Sequence, residues 1–238
     1  MLGFPRPLLY ANFVSSLDGI TAIDPAASGQ GGLISGGLAA DRFLMGLLRA
    51  FADVVLIGAG TLRAEPDHLW TPGRVYPPTA DAYALLREVL GRPAALPLAV
   101  LTAGGGIDPR LPALAGGLIL TTDAGAARIG RPPAGLRVIS LGAGPVVDVG
   151  AAVARLRGEG FGMILTEGGP HLFGQLLAAS LVEELFLTVA PVIAGRDRSS
   201  TQIGLVEGVS LLPDLAVRGR LKSARRSGDH LFLRYALS

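Results

Sequence analysis

Two stretches of this 238-residue chain share one local design that suits an anionic ligand. At residues 54–61 (VVLIGAGT) and 163–170 (MILTEGGP) an apolar run stops abruptly in glycines. Such runs read as buried strands, and glycines at their ends let a ligand approach the backbone. Free N–H groups at the start of a following helix then form an anion site. Pro170 suits the first helical position, where its missing N–H would have had no intrahelical partner. Ligands of open α/β sheets gather beyond the carboxyl ends of the strands, so both turns are expected to face one cleft. Each turn alone also reads as a tight strand–helix connection with no ligand. Neither is a G-x-x-x-x-G-K-[ST] loop, and no G-x-G-x-x-G follows the first strand, which argues against the usual nucleotide loops. Asp18, before Gly19, has the ordinary reading of a turn residue.

Composition removes several other chemistries. There is no cysteine, so disulfides, thiolate nucleophiles and cysteine-held zinc are excluded. The three histidines, His68, His171 and His230, are never four residues apart, which disfavours a histidine metal site. No G-x-S-x-G elbow is present. The net charge of +2 is too small to suggest a polyanion partner. The basic cluster Arg218, Arg220, Lys222, Arg225, Arg226 reads as the solvent face of a strand, so no nucleic acid is expected. No apolar run approaches the ~18 residues of a membrane span, and the start lacks a signal-peptide pattern; a cytoplasmic protein is expected.

The elements that must position the turns follow from periodicity. Half of the residues are apolar and 17% are charged, which favours a sheet covered on both faces. Apolar runs predict strands at 8–14, 53–57, 98–102, 118–122, 136–140, 163–166 and 185–189. Helical spacing predicts helices at 38–50, 80–90, 148–157 and 171–179, the last carrying a core stripe of Leu172, Phe173, Leu176 and Leu177. The glycine-rich stretch 28–37 reads as a mobile flap, and 69–79 as a loop. Alternating strands and helices imply a mainly parallel sheet with right-handed crossovers. An antiparallel hairpin, 215–225 with 231–235, closes it, and residues 1–238 are expected to form a single domain.

The ordered blocks SSLDG (15–19), LLRA (47–50), VLIGAGTLRAE (55–65), TEGGPHL (166–172), LVEEL (181–185), APVIAG (190–195) and GDHLFLRY (228–235) resemble the reductase domain of riboflavin biosynthesis and its stand-alone relatives. The resemblance spans residues 8–236 and implies a dihydrofolate reductase-like α/β fold, three-layered, without the deaminase domain that many relatives carry. It implies an NADPH-dependent pyrimidine reductase that adds hydride to an opened ribosylamine. Ser15, Gly58, Thr61, Glu65, Thr102, Gly168, Gly169, Pro170, His171 and Leu172 then fall at cofactor-binding positions. Arg49, Leu69 and Glu167 fall on the substrate side, with Glu167, and secondarily Asp18, as candidate proton relays.

Departures from the family pattern matter. Glu65 replaces a more usual aspartate, and Ala103 follows Thr102 where relatives often have arginine, leaving Arg128 or Arg131 as substitutes for a phosphate contact. An arginine expected soon after Leu69 is absent, with Arg74 as a stand-in. This keeps a dihydrofolate or pterin reductase, and a catalytically silent nucleotide-binding protein, as alternatives. Arg49 also suits a helix C-terminus, and His171 an ordinary first-turn position. A homodimer is expected through an exposed apolar strand at 185–189 and the following 190–193.

Overall fold

A computed structural model describes residues 6–24, 26–197 and 199–238. The strands are β1 (Leu8–Ser15), β2 (Ile20–Ala22), β3 (Val54–Gly58), β4 (Leu98–Thr102), β5 (Leu118–Thr121), β6 (Arg137–Ser140), β7 (Met163–Thr166), β8 (Glu184–Val189), β9 (Ile203–Gly204), β10 (Gly219–Ser227) and β11 (His230–Leu237). The helices are α1 (Gln30–Ser35), α2 (Ala39–Phe51), α3 (Ala59–Ala64), α4 (Pro72–Val75), α5 (Ala80–Val89), α6 (Asp123–Ile129), α7 (Val149–Gly158) and α8 (Pro170–Ala178). Among the described residues nine strands form one sheet in the order β10-β11-β8-β1-β7-β3-β4-β5-β6, with β2 and β9 paired separately. The run from β8 to β6 is parallel, and β11 is antiparallel to both β8 and β10. This is the α/β sheet with a C-terminal antiparallel hairpin that the sequence implies.

Each face of the sheet has its own core, because successive strand residues point to opposite sides. Leu8, Tyr10, Val55 and Ile57 pack with Leu48 of α2 and Leu62 of α3. Leu9, Val54 and Leu56 pack with Val153 and Leu156 of α7 and with the Leu172, Phe173, Leu176, Leu177 stripe of α8. Burial on both sides is why the central strands are continuous apolar runs rather than alternating ones.

Four expectations are corrected. The 28–37 stretch holds α1, bounded by Gly29 and Gly36 in the left-handed region and anchored by buried Ile34. The 69–79 stretch holds α4, which starts on a buried Pro72. The hairpin occupies 219–227 and 230–237, so residues 215–218 precede it. Strand β8 is not exposed: it lies between β1 and β11, which covers the edge that its apolar sequence suggested was free. Of the segment expected to pair two copies, Pro191, Val192 and Ile193 remain exposed.

Helix α2 carries much of the site and is seated closely on α5. A Cβ at Gly46 would lie 2.6 Å from Tyr83 Cε2 and 2.8 Å from its hydroxyl. Tyr83 cannot swing away freely, because that hydroxyl donates to the Phe43 carbonyl at 2.8 Å. Gly46→Ala is therefore expected to destabilise the fold by about 1–3 kcal/mol despite its better helix propensity, measured by urea unfolding. A neutral or stabilising effect would show that the α2–α5 contact is loose.

Candidate functional site

The two glycine turns are brought side by side. Strands β3 and β7 are neighbours with Leu56 opposite Thr166, so both chains leave the sheet at the same edge. The Thr166 hydroxyl donates to the Leu56 carbonyl at 3.1 Å and accepts the Gly168 N–H at 3.3 Å. The Thr61 hydroxyl, on α3, accepts the Gly169 N–H at 2.9 Å. A Cβ at Gly168 would stand 2.7 Å from Leu172 Cδ2 and 3.3 Å from both Ile57 Cα and Gly58 N, so a side chain there would press the two turns apart by a few tenths of an ångström. Helix α3 begins at Ala59 directly, without an intervening turn, and α8 begins on Pro170. With Gly169 N–H held by Thr61 and Pro170 lacking one, the helix start offers the N–H groups of His171 and Leu172. The His171 side chain is exposed while Leu172 is buried in the core.

Beside this cradle lies a buried ion pair. Arg49, in the last turn of α2, donates Nη2 to Glu167 Oε2 at 2.6 Å and Nε to both carboxylate oxygens at 3.1 Å. The side chains are 2% and 8% exposed. Arg49 also contacts His68 Nε2 at 3.1 Å through Nη2. Arg49 keeps its place in the last turn of α2, while the carbonyls at that end are met by Arg87 of α5, which donates to that of Ala52 at 2.8 Å and to those of Arg49 and Ala50 at 3.4 Å. His68 stacks edge-on to Trp70, with ring centroids 4.7 Å apart. Burial, then the Arg49 and Arg74 charges, hold its pKa down to about 4. His68 was not singled out from sequence; its place next to Leu69 was the available signal.

The remaining candidates are spread around this centre. Leu69 is half-buried next to His68, and Thr102 is buried at the carboxyl end of β4. The Ala103 carbonyl accepts both the Thr121 and Thr122 hydroxyls, at 3.3 and 2.8 Å. Ser15 is buried at the end of β1, its carbonyl accepting Ala190 N–H at 2.8 Å. Glu65 accepts the Gly29 N–H, tying the end of α3 to the glycine-rich stretch. A cavity of about 500 Å³ is lined by Arg63, Glu65, Asp67, His68 and Arg74, so Arg74 does reach the site region, joined by Arg63. Arg128 and Arg131 are exposed. Asp18 accepts the Ser16 hydroxyl at 2.6 Å and the Ala194 and Gly195 N–H groups at 3.0 and 2.7 Å. These donors, the Ser16 hydroxyl first, lower its pKa to about 2, which suits an acceptor that holds the 194–195 loop rather than a proton donor.

The profile of the RibD C-terminal domain matches residues 7–233. The chain belongs to that family. It is 33% identical over 92 residues to a curated 2,5-diamino-6-ribosylamino-4(3H)-pyrimidinone 5′-phosphate reductase of Methanothermobacter thermautotrophicus, a match spanning 38% of this chain and 41% of that protein. Among solved structures, a pyrimidine reductase-like protein of Corynebacterium diphtheriae superposes with a TM-score of 0.71 at 23% identity, covering 98% of this chain and 92% of that one. RibD of Acinetobacter baumannii gives a TM-score of 0.70 at 18% identity, covering 98% of this chain and 58% of that one. These similarities to RibD structures bear out the fold implied by the sequence blocks. Among the described residues, no helix is long and apolar enough to cross a membrane and no metal-ligand cluster is present.

The depressed His68 pKa has a consequence for stability. Between about 4 and 6.5 the unfolded chain binds a proton at this residue that the folded chain does not. Its contribution is thus intact above pH 6.5 and lost as the pH falls toward 4. Replacing it by glutamine is expected to flatten the fall in unfolding free energy across that window, measured by urea titrations at stepped pH. An unchanged slope would mean that the ring takes up its proton as readily in the folded chain as in the unfolded one.

Proposed function

We propose that this chain is an NADPH-dependent reductase acting on a 5-aminopyrimidine ribosylamine 5′-phosphate of the flavin pathway. The observation that carries this reading is the position of Glu167: a carboxylate fixed by Arg49 directly precedes the Gly168-Gly169 turn. A site for a substrate and a site for an anionic cofactor are thereby joined in consecutive residues. The turn suits an anionic cofactor, because the His171 and Leu172 N–H groups in the first turn of α8 have no intrahelical partner and no side chain caps that helix start. Gly58, Thr61, Gly168, Gly169, Pro170, His171 and Leu172 would hold the phosphates. Ser15, Glu65 and Thr102 would line the remainder, with Arg63 a further cation beside Glu65. Bound NADPH supplies the hydride.

The chain's own residues supply geometry and charge. In the opened ribosylamine, a C–H bond forms at the former anomeric carbon, the C=N pair moves to nitrogen, and nitrogen takes a proton. Glu167, held by Arg49, orients that centre and relays the proton, while Leu69 and Trp70 border the ring. Asp18 keeps the loop at 194–195 in place. The exposed Val192 and Ile193 support pairing of two copies, so sedimentation at micromolar concentration is expected to give a dimer mass. A monomer at that concentration would refute the pairing.

Fluorescence titration is expected to show NADPH binding, weakened at least about tenfold by Gly168→Ala through loss of the close approach. Glu167→Gln is expected to lower kcat by about 100-fold or more while leaving NADPH affinity unchanged. Absence of NADPH binding by the wild type would end this reading. Dihydrofolate turnover without turnover of the ribosylamine would replace the substrate class.

A further inference from the structure

A second cavity, of about 560 Å³, lies at the edge of the sheet opposite the glycine turns. It opens where β3, β4, β5 and β7 begin, between the end of α5 and the end of α7. Strand β3 is five residues long, so this cavity stands roughly 15 Å from the cradle at the strand's other end. None of its residues takes part in the reductase chemistry.

The charged side chains that line it are Arg6, Arg92, Asp53 and Glu159. Asp53 is shared by two arginines: Arg92 donates Nη1 to Oδ1, and Arg6 Nη2 lies 3.2 Å from the same oxygen. Its Oδ2 accepts the Met163 N–H at 2.7 Å. One carboxylate thus meets two guanidinium charges. The Arg92 side chain is 4% exposed, and its Nε is buried with no hydrogen-bond partner, a costly state for a charged donor. Desolvation holds the Arg92 pKa below the ordinary arginine value; Asp53 offsets this in part, and the Arg6 charge adds to it. Across the cavity the pattern repeats, since Glu159 pairs with both Arg137 and Arg155 at 2.6 Å. Four arginines therefore surround two carboxylates, an excess of two positive charges. The carboxyl ends of α5 and α7 do not absorb it, because their last carbonyls accept backbone N–H groups, that of Arg92 on Arg87 and that of Phe161 on Leu156.

We propose that this cavity is a second ligand site, which binds a phosphate monoester with its phosphate on Arg6 and Arg92 and its organic body against Leu90, Leu96 and Phe161. A phosphate monoester carries about −1.5 to −2 charges at pH 7, which matches the excess, and its oxygens accept from several guanidinium N–H groups at once. A carboxylate brings a single charge and leaves the other uncompensated. The cavity volume lies within the range of small-molecule sites, far more than a bare phosphate fills, and its apolar wall gives the rest of the ester a surface to cover.

The test follows the Arg92 Nε–H resonance of the isotope-labelled full chain by NMR while ribose 5-phosphate, inorganic phosphate or ribose is added. Ribose 5-phosphate is expected to shift it with a dissociation constant below about 1 mM, inorganic phosphate to bind at least about threefold more weakly, and ribose to leave it in place. Arg6→Ala, at a side chain that is 55% exposed, is expected to weaken the ester at least about fivefold. Arg74→Ala, in the other cavity, is expected to leave that affinity unchanged. No response to either phosphate, an equal response to ribose, or full affinity in Arg6→Ala overturns the proposal. Inorganic phosphate binding as tightly as the ester overturns the ester assignment. Loss of the response in Arg74→Ala overturns the second site by tracing the effect to the first. None of these outcomes depends on NADPH binding, so the reductase reading is tested separately.

Discussion

The buried pair between Arg49 and Glu167 is the contact on which the arrangement depends. It joins the last turn of α2 to the residue at which β7 becomes the Gly168-Gly169 turn, 118 positions later in the chain. Burying two charges is costly, and such a pair is weak evidence for stability: apolar replacements of similar volume are often as stable. Removing only one partner is different, because an uncompensated buried charge costs about 3–5 kcal/mol. The pair therefore acts as a positional constraint. Glu167 has one orientation, with Arg49 meeting both of its oxygens, and that orientation places a charged group directly beside the cradle.

The cradle itself depends on adjacency between strands distant in sequence. Because β7 inserts between β1 and β3, the turn after β7 meets the turn after β3 at backbone contact distance. Two threonine hydroxyls join the turns, Thr166 to Leu56 and Thr61 to Gly169. The Thr61 hydroxyl thereby satisfies a backbone N–H that lies beyond the end of β7. The result leaves few free donors, and these are concentrated at the start of α8.

Much of this was legible in the sequence, for identifiable reasons. Strands β3, β4, β5 and β7 announce themselves because both faces are buried, and the stripe of α8 because its face is wide. The two glycine turns were legible because close backbone approach needs glycine. What was hidden is what depends on distant partners. Nothing local distinguishes Arg49, which pairs with Glu167, from Arg87, which caps α2; each ends a helix as a basic residue. Strand β8 looked like an exposed edge because its cover, β11, lies more than forty residues away. Asp41 reads as an ordinary first-turn acid, and only the packing of α2 over β1 and β8 shows that it is buried.

That packing also accounts for how the fold tolerates Asp41 at all. The first turn of a helix carries partial positive charge from its free N–H groups, and the last turn partial negative charge. Asp41 and Arg49 each sit at the end of α2 whose dipole favours them. Leu38, which precedes the helix, provides no side-chain cap, so the N-terminal donors remain available to stabilise a nearby carboxylate. At the other end Arg49 is satisfied by a full countercharge, whereas Asp41 has the helix end, the Thr188 hydroxyl and the more distant charges of His230 and Arg42. One helix thus holds a compensated charge beside the cradle and an undercompensated one at the far wall.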